Sequence, residues 1–357
     1  MENFWQKLPK PIMVLAPMAD VTDLAFRRII AKYSKYGGAD IFDAQGRFTR
    51  PSFAPQNLGG PDVMFTEFVS ADGLCHPKGR EKLLIDLSYT EAERPIVAQL
   101  FSGKPEKMYE AAKLVRELGF DGLDINMGCP DRSIEKSGAG VALIKDSRRA
   151  REIIRAAKEG AGDLPISVKT RIGYNKNELE TWLPELLAEN PAVVTIHART
   201  RKEMSSVPAR WEHVAEAIAI RDCLGSKTLI FGNGDVVSLA DARKKVLETH
   251  CDGVMLGKAI FGNPFLFSFL RKQKRPERVE RVERTNIKEK LEVLVEHTKL
   301  FEELLGNCKN FAIMKKHYKA YVQGFDGAKE LRMKLMEASS ADEVETIVLH
   351  FLKESKI

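Results

Sequence analysis

The residues best suited to chemistry stand at the ends of short apolar runs. Cys129 lies in Asn126-Met127-Gly128-Cys129-Pro130, a turn bracketed by glycine and proline. A thiol in such a turn can act as nucleophile or general acid. Lys169 sits inside the apolar run Ile166–Thr170, where a charge is costly unless it is used. Such a lysine can stabilise an anion, and a reduced flavin is one, with charge near N1 and O2. His197 ends another run and can hydrogen-bond a cofactor. Gly232-Asn233-Gly234-Asp235 and Gly257-Lys258 end two more. Glycine lets backbone N–H groups approach a phosphate, and Lys258 adds positive charge. The bland readings are a lysine reaching water, a core histidine and ordinary strand-to-helix turns.

Other candidates fall away on the same reasoning. Gly138-Ala139-Gly140 and Gly232-Asn233-Gly234 each begin like a dinucleotide fingerprint, but Leu143 and Val237 stand at the third position. A nicotinamide-binding Rossmann domain is therefore not expected. The five cysteines are odd in number and none are at C-x-x-C spacing, which argues against disulfides and structural zinc. No metal site is expected. Cys223 and Cys251 read as small buried hydrophobes.

These residues need a scaffold that gathers strand ends. Eight β-branched-rich runs recur: Ile12–Ala16, Val63–Val69, Ile96–Leu100, Gly122–Asn126, Ile166–Thr170, Val193–His197, Thr228–Phe231 and Gly253–Leu256. Their composition suits buried parallel strands. Amphipathic stretches lie between them. Pro105–Leu118 places Met108, Ala111, Val115 and Leu118 on one face. Asp146 caps a helix whose inner face is Ala150, Ile153, Ile154 and Ala157. Ser238 begins a capping box before Ala242–Leu247. The fold class is α/β: a (β/α)8 TIM barrel over residues 1–270, favoured over an open doubly wound sheet. Its active site belongs at the C-terminal ends of the strands. The long connection Gly37–Pro61 carries a candidate short strand at Ala39–Asp43.

Beyond Leu270 the character changes. Arg271–Arg284 reads as a linker. Ile287, Leu291, Leu294, Thr298, Phe301 and Leu305 then recur at helical spacing. Further helices are expected over Phe311–Tyr321, after Gly327 and from Ser340. Residues 271–357 thus form a small C-terminal helical domain. The chain is 44% hydrophobic and 30% charged, which excludes intrinsic disorder. Its net charge is +6, but residues 271–334 alone carry 17 Lys/Arg against 10 Asp/Glu. A basic zone on a near-neutral body suits an anionic partner, nucleic acid first. No apolar run is long enough for a membrane helix and no signal core opens the chain, so a cytoplasmic protein, monomeric by default, is expected.

Taken together, these motifs resemble the tRNA-dihydrouridine synthases. The matching stretches are Ala16-Pro17-Met18-Ala19 with Val21-Thr22-Asp23, Thr66–Ala71, Ala98-Gln99-Leu100, Asp124–Pro130, Val168–Arg171, His197–Thr200, Gly232–Asp235 and Gly257-Lys258. The tail joins them with Lys316-His317-Tyr318, Gly324-Phe325 and Leu331-Arg332. The resemblance implies an FMN-bound barrel and a tRNA-binding helical domain. It also implies NADPH or NADH as reductant and hydride delivery from flavin N5 to C6 of a uracil. Cys129 would protonate C5 as the general acid. Pro17, Met18, Ala19 and Gln99 would line the isoalloxazine, and Lys169 and His197 would bind its polar edge. Asn233, Gly234, Asp235, Gly257 and Lys258 would surround the phosphate, while Asn126 and Arg199 would meet the uracil.

Three positions depart from the family pattern. Lys258 replaces the usual arginine, and a lysine lacks the bidentate fork. Asp20 replaces a glycine after Ala19. The stretch Arg201–Trp211 carries Ser205, Ser206 and Pro208 where a glycine is usual. The alternatives are an FMN barrel acting on a free pyrimidine, as a dihydroorotate dehydrogenase does, and a non-catalytic RNA-binding or RNA-folding protein. The basic tail and the Asn-x-Gly-Cys-Pro stretch disfavour the first. Cys129, Lys169 and Asn126 disfavour the second.

Overall fold

A computed structural model describes residues 3–43, 46–49, 59–269 and 287–355. The eight runs are all strands: β1 Ile12–Leu15, β2 Met64–Ser70, β3 Ile96–Phe101, β4 Gly122–Met127, β5 Ile166–Arg171, β6 Val193–His197, β7 Leu229–Asn233 and β8 Gly253–Leu256. They pair in parallel in the order β1-β8-β7-β6-β5-β4-β3-β2. A parallel bridge between Val14 and Val63 joins the two ends, and Leu15 N donates to Val63 O at 3.1 Å. The ring closes into the barrel, not an open sheet.

Period-2 alternation decides what the barrel holds. Ile12, Val14, Val63, Phe65, Val97, Val193, Leu229, Phe231 and Met255 form one buried cluster inside it. Trp5, on the short 3-10 helix Phe4–Lys7, joins that cluster and packs 5.6 Å from the Phe231 ring. Two residues further along several strands, the same inward face turns polar: Gln99 after Val97, Asn233 after Phe231 and, two steps on from Val193, His197. An apolar floor therefore supports a polar mouth.

The outer helices are capped as their sequences require. Asp146 accepts from Arg149 N at 3.0 Å and starts Ser147–Ala161, which buries Ala150, Ile153, Ile154 and Ala157. Ser238 accepts from Asp241 N at 3.0 Å, and Asp241 returns the bond to Val237 N at 3.1 Å. Pro105–Glu117 buries Met108, Ala111 and Val115. Leu118 does not share that face: it is the C-cap residue and is 36% exposed. Cys223 is likewise exposed, because it ends the helix Glu212–Cys223, whereas Cys251 is buried as expected.

Two compact units emerge. The first comprises residues 1–18, 62–88 and 94–258; the second comprises 19–61, 89–93 and 259–357. Within the second, Ile287–Leu305 buries Leu291, Leu294, Thr298, Phe301 and Leu305 along one stripe. Met314–Tyr321, Ala328–Glu337 and Ala341–Glu354 follow. Helix Leu24–Ile30 belongs to this unit, with Phe26 against the rings of His297 and His317 at 5.5 and 5.2 Å. Its Arg27 pairs with Glu93 at 2.6 Å, both side chains fully buried. In place of a strand at Ala39–Asp43 there is, among the described residues, a single antiparallel bridge, Phe42 to Phe48. The linker expected at Arg271–Arg284 lies outside the described residues. No helix among the described residues is long and apolar enough to cross a membrane.

Candidate active site at the barrel mouth

The register brings the polar residues to one level. Asn126 pairs with Lys169, Arg171 with His197, and His197 with Asn233. At the centre is a chain of buried hydrogen bonds. Ser167 Oγ and Gln99 Nε2 donate to Asp124 at 2.5 and 2.6 Å. Asn126 Nδ2 donates to Gln99 Oε1 at 3.0 Å. Asn126 Oδ1 in turn accepts from Gly128 N at 3.1 Å and Cys129 N at 2.9 Å. Burial lifts the Asp124 carboxyl to about 6, against the bonds from Ser167 and Gln99. The Asn126 side chain therefore shapes the turn that carries the thiol.

Cys129 is half-buried and fixed from several sides. Its carbonyl accepts from Val141 N at 3.1 Å, and Arg171 Nε donates to Gly128 O at 2.8 Å. Gly140, with φ +60°, passes so close that a Cβ there would meet Cys129 O at 2.8 Å. The Gly-Ala-Gly stretch thus serves close packing against the cysteine turn, not a nucleotide. Burial raises the Cys129 thiol above its ordinary pKa, against the lowering effect of the Asp131 main-chain bond and of the Lys169 and Arg171 charges. The group is a protonated thiol at neutral pH, which is the form a general acid requires.

The cationic side of the mouth is formed by Lys169, Arg171 and Arg199. Lys169 is the one half-buried residue of β5, and burial followed by the Arg171 charge brings it down to about 8. Its ammonium makes no hydrogen bond or ion pair among the described residues. Burial, then the surrounding Lys169, Arg171 and Arg199 charges, holds His197 neutral. Arg199 Nη1 stands 3.1 Å from His197 Nε2. A guanidinium only donates, so Nε2 is the acceptor and Nδ1 carries the proton. Arg199 Nη2 also pairs with Asp235, whose other bond comes from Ala209 N at 2.8 Å.

Most of the sequence-derived site lies in the first unit. Pro17 is buried and Met18 half-buried just past β1, whereas Ala19 is exposed and belongs to the second unit. Asn233 Nδ2 donates to Met255 O at 2.8 Å, tying β7 to β8. Lys258 is exposed beyond β8. Asp20, where a glycine is usual, adopts φ +52° and accepts from Lys316 Nζ at 3.0 Å within the second unit. Aspartate tolerates the left-handed region, so the turn survives the replacement. Tyr174, Glu135 and Arg201 were not legible as site residues; Arg171 was, from the Val-Lys-Thr-Arg run, but without its partners.

The donor set suits FMN. Lys169, His197 Nδ1–H and Lys258 are all donors, fitting carbonyl oxygens and a phosphate. At Gly257, just past β8, an added Cβ would make only ordinary contacts, 3.4 Å from Met18 Sδ and 3.5 Å from Ala16 Cβ. Gly234, by contrast, is constrained. Its φ is +125° and a Cβ would fall 2.8 Å from Ala209 Cβ. Gly234→Ala is expected to lower stability by about 1–3 kcal/mol, read as a lower urea midpoint.

A family model described as dihydrouridine synthase matches residues 14–356. The chain belongs to the dihydrouridine synthase family. It is accordingly an oxidoreductase. The probable tRNA-dihydrouridine synthase 2 of Bacillus subtilis (strain 168) is 38% identical over 352 residues, covering 98% of this chain and 97% of that protein. The probable tRNA-dihydrouridine synthase of Staphylococcus aureus (strain COL) is 37% identical over 352 residues, covering 98% and 96%. That of Staphylococcus epidermidis (strain ATCC 12228 / FDA PCI 1200) is 36% identical over 349 residues, covering 97% and 95%.

Proposed function

We propose that this chain reduces the C5–C6 double bond of specific uridines in tRNA, with NADPH or NADH as reductant, bound FMN as carrier and Cys129 as general acid. The observation that carries the reading is a protonated thiol, fixed in the Asn126–Cys129 turn, at the same barrel end as Lys169 and His197. When bound, FMN supplies a hydride to C6 of the uracil. The pyrimidine then needs a proton at C5, and Cys129 Sγ–H gives it. Lys169 and the Nδ1–H of His197 hold the polar edge of the ring. Pro17, Met18, Ala19 and Gln99 line its face, and Asn233, Gly234, Asp235, Gly257 and Lys258 surround the phosphate. Asn126 keeps one amide hydrogen beyond its bond to Gln99, and with Arg199 it meets the uracil. The target base leaves its stack to enter.

In this reading residues 1–270 carry the flavin site, and the basic residues 271–357 bind the tRNA backbone with strong salt dependence. The protein works as a cytoplasmic monomer. The direct test is an absorbance spectrum of the purified protein with mass spectrometry of released cofactor, then an assay for dihydrouridine in unmodified tRNA. A colourless protein that takes up no added FMN would sink the proposal.

Lys169 adds a pH dependence. Its folded pKa of about 8 means that it is charged at neutral pH and loses its proton as pH rises. Affinity for the anionic cofactor is therefore expected to fall between about pH 7 and pH 9, as followed by fluorescence titration of the apoprotein. In Lys169→Met the affinity should be weaker and that dependence flat. An unchanged dependence would assign the titration to another group.

A further inference from the structure

Three loops of the barrel mouth meet on one carboxylate. Glu135 lies on the helix Arg132–Lys136, which follows Cys129-Pro130 directly after its cap Asp131. Its carboxylate accepts from the Tyr174 hydroxyl, in the loop after β5. It also accepts from Arg201 in the loop after β6, from Nε at 3.1 Å and from Nη2 at 2.7 Å. Lys145 Nζ stands 3.4 Å from the centre of the Tyr174 ring and the Arg201 guanidinium 5.3 Å from it. Such cation–ring contacts restrain the tyrosine.

The partners of Glu135 are already fixed to one another. Arg201 N donates to Gly173 O at 3.0 Å and Lys202 N to Tyr174 O at 2.9 Å. Arg171 Nη1 adds a bond to Thr200 O at 3.1 Å. The β5 and β6 loops therefore form a stitched platform. The helix after Cys129 is weakly held by comparison: it has five residues, and Ile134 is the one buried among them. Charge-assisted bonds are directional as well as strong, so a single carboxylate, with Arg201 on one oxygen and Tyr174 on the other, can set the helix on that platform.

We infer that Glu135, acting through Tyr174 and Arg201, is a positioning residue that holds the Cys129 turn in register for proton transfer. This rests on the general-acid role proposed above. A partly exposed ion pair adds little to global stability. Its effect lies in alignment, where a displacement of about 1 Å can cost a hundredfold in rate.

The test uses the full-length protein with Glu135→Ala, Glu135→Gln and Tyr174→Phe. Two quantities are followed: the rate of iodoacetamide alkylation of Cys129, resolved by peptide mass spectrometry, and single-turnover dihydrouridine formation on saturating tRNA. Glu135→Ala should speed alkylation severalfold and slow turnover about 10- to 100-fold, with the KM for tRNA little changed. Tyr174→Phe should do the same to a smaller degree, and Glu135→Gln should recover much of both. Unchanged alkylation in Glu135→Ala, or altered alkylation with unchanged turnover, overturns the inference. If the parent protein forms no dihydrouridine, the functional reading fails, while the alkylation rates still show whether Glu135 restrains the turn.

Discussion

Replacing Cys129 with alanine is expected to slow dihydrouridine formation by about 10²- to 10⁴-fold, the usual contribution of a placed general acid. Flavin content and tRNA affinity should stay as they were, because the thiol contributes only the proton. The turn itself should survive, since it is held by main-chain bonds to Asn126 Oδ1 and from Val141 N. Serine is not a rescue: its hydroxyl is a far weaker acid than a thiol. The sign of the pH dependence follows from the raised thiol pKa. The proton is present at neutral pH and is lost as pH rises, so the rate should fall on the alkaline side and the fall should vanish in the variant. Single-turnover reduction of unmodified tRNA by pre-reduced protein reads both effects. Full activity in Cys129→Ala would remove the assignment.

The largest loss of stability should come from Arg27→Met in the second unit. Arg27 Nε lies 2.6 Å from Glu93 Oε2 with neither side chain exposed, and its Nη1 donates to Thr22 O at 2.6 Å. Glu93 Oε1 is further held by Thr90 N and Oγ1 at 2.7 and 2.9 Å. Without Arg27 a buried carboxylate keeps only the Thr90 bonds, and breaking such a pair from one side costs about 3–5 kcal/mol. Urea unfolding, with hydrogen exchange over residues 287–355, should show the loss concentrated in the second unit. The double variant Arg27→Met with Glu93→Leu should regain much of it, because no charge is then left unpaired. A single variant as stable as the parent would mean that water reaches Glu93.

The barrel was readable because its signals are local. β-branched runs bounded by turns located every strand to within about two residues, and polar residues at their ends marked the mouth. Asp146 and Ser238 were readable as caps because capping depends on neighbours in sequence. Leu118 failed for the same reason in reverse, because a helical period continues in the sequence after the helix has ended, and Cys223 failed because residue type alone does not say which face of a helix it occupies. What could not be read needs long-range geometry. Nothing in Glu135, Tyr174 and Arg201 announces that they converge, and nothing in the helix Leu24–Ile30 announces that it packs with helices made nearly 270 residues later. Asp20 was legible as a departure from a glycine, but its left-handed φ and its bond to Lys316 were not.

That last separation in sequence has a consequence during synthesis. A ribosome adding about 5–20 residues per second completes helix Leu24–Ile30 roughly 10 to 60 s before His297 and His317 exist. Glu93 arrives early enough to neutralise Arg27, but the rings that cover Phe26 and the carboxylate that binds Tyr33 come only with the C-terminal helices. The first unit can close once Lys258 has emerged, while helix Leu24–Ile30 still waits. A message truncated after the barrel would therefore yield not a smaller working enzyme but a closed barrel trailing an uncovered apolar helix, a ready client for chaperones and proteases.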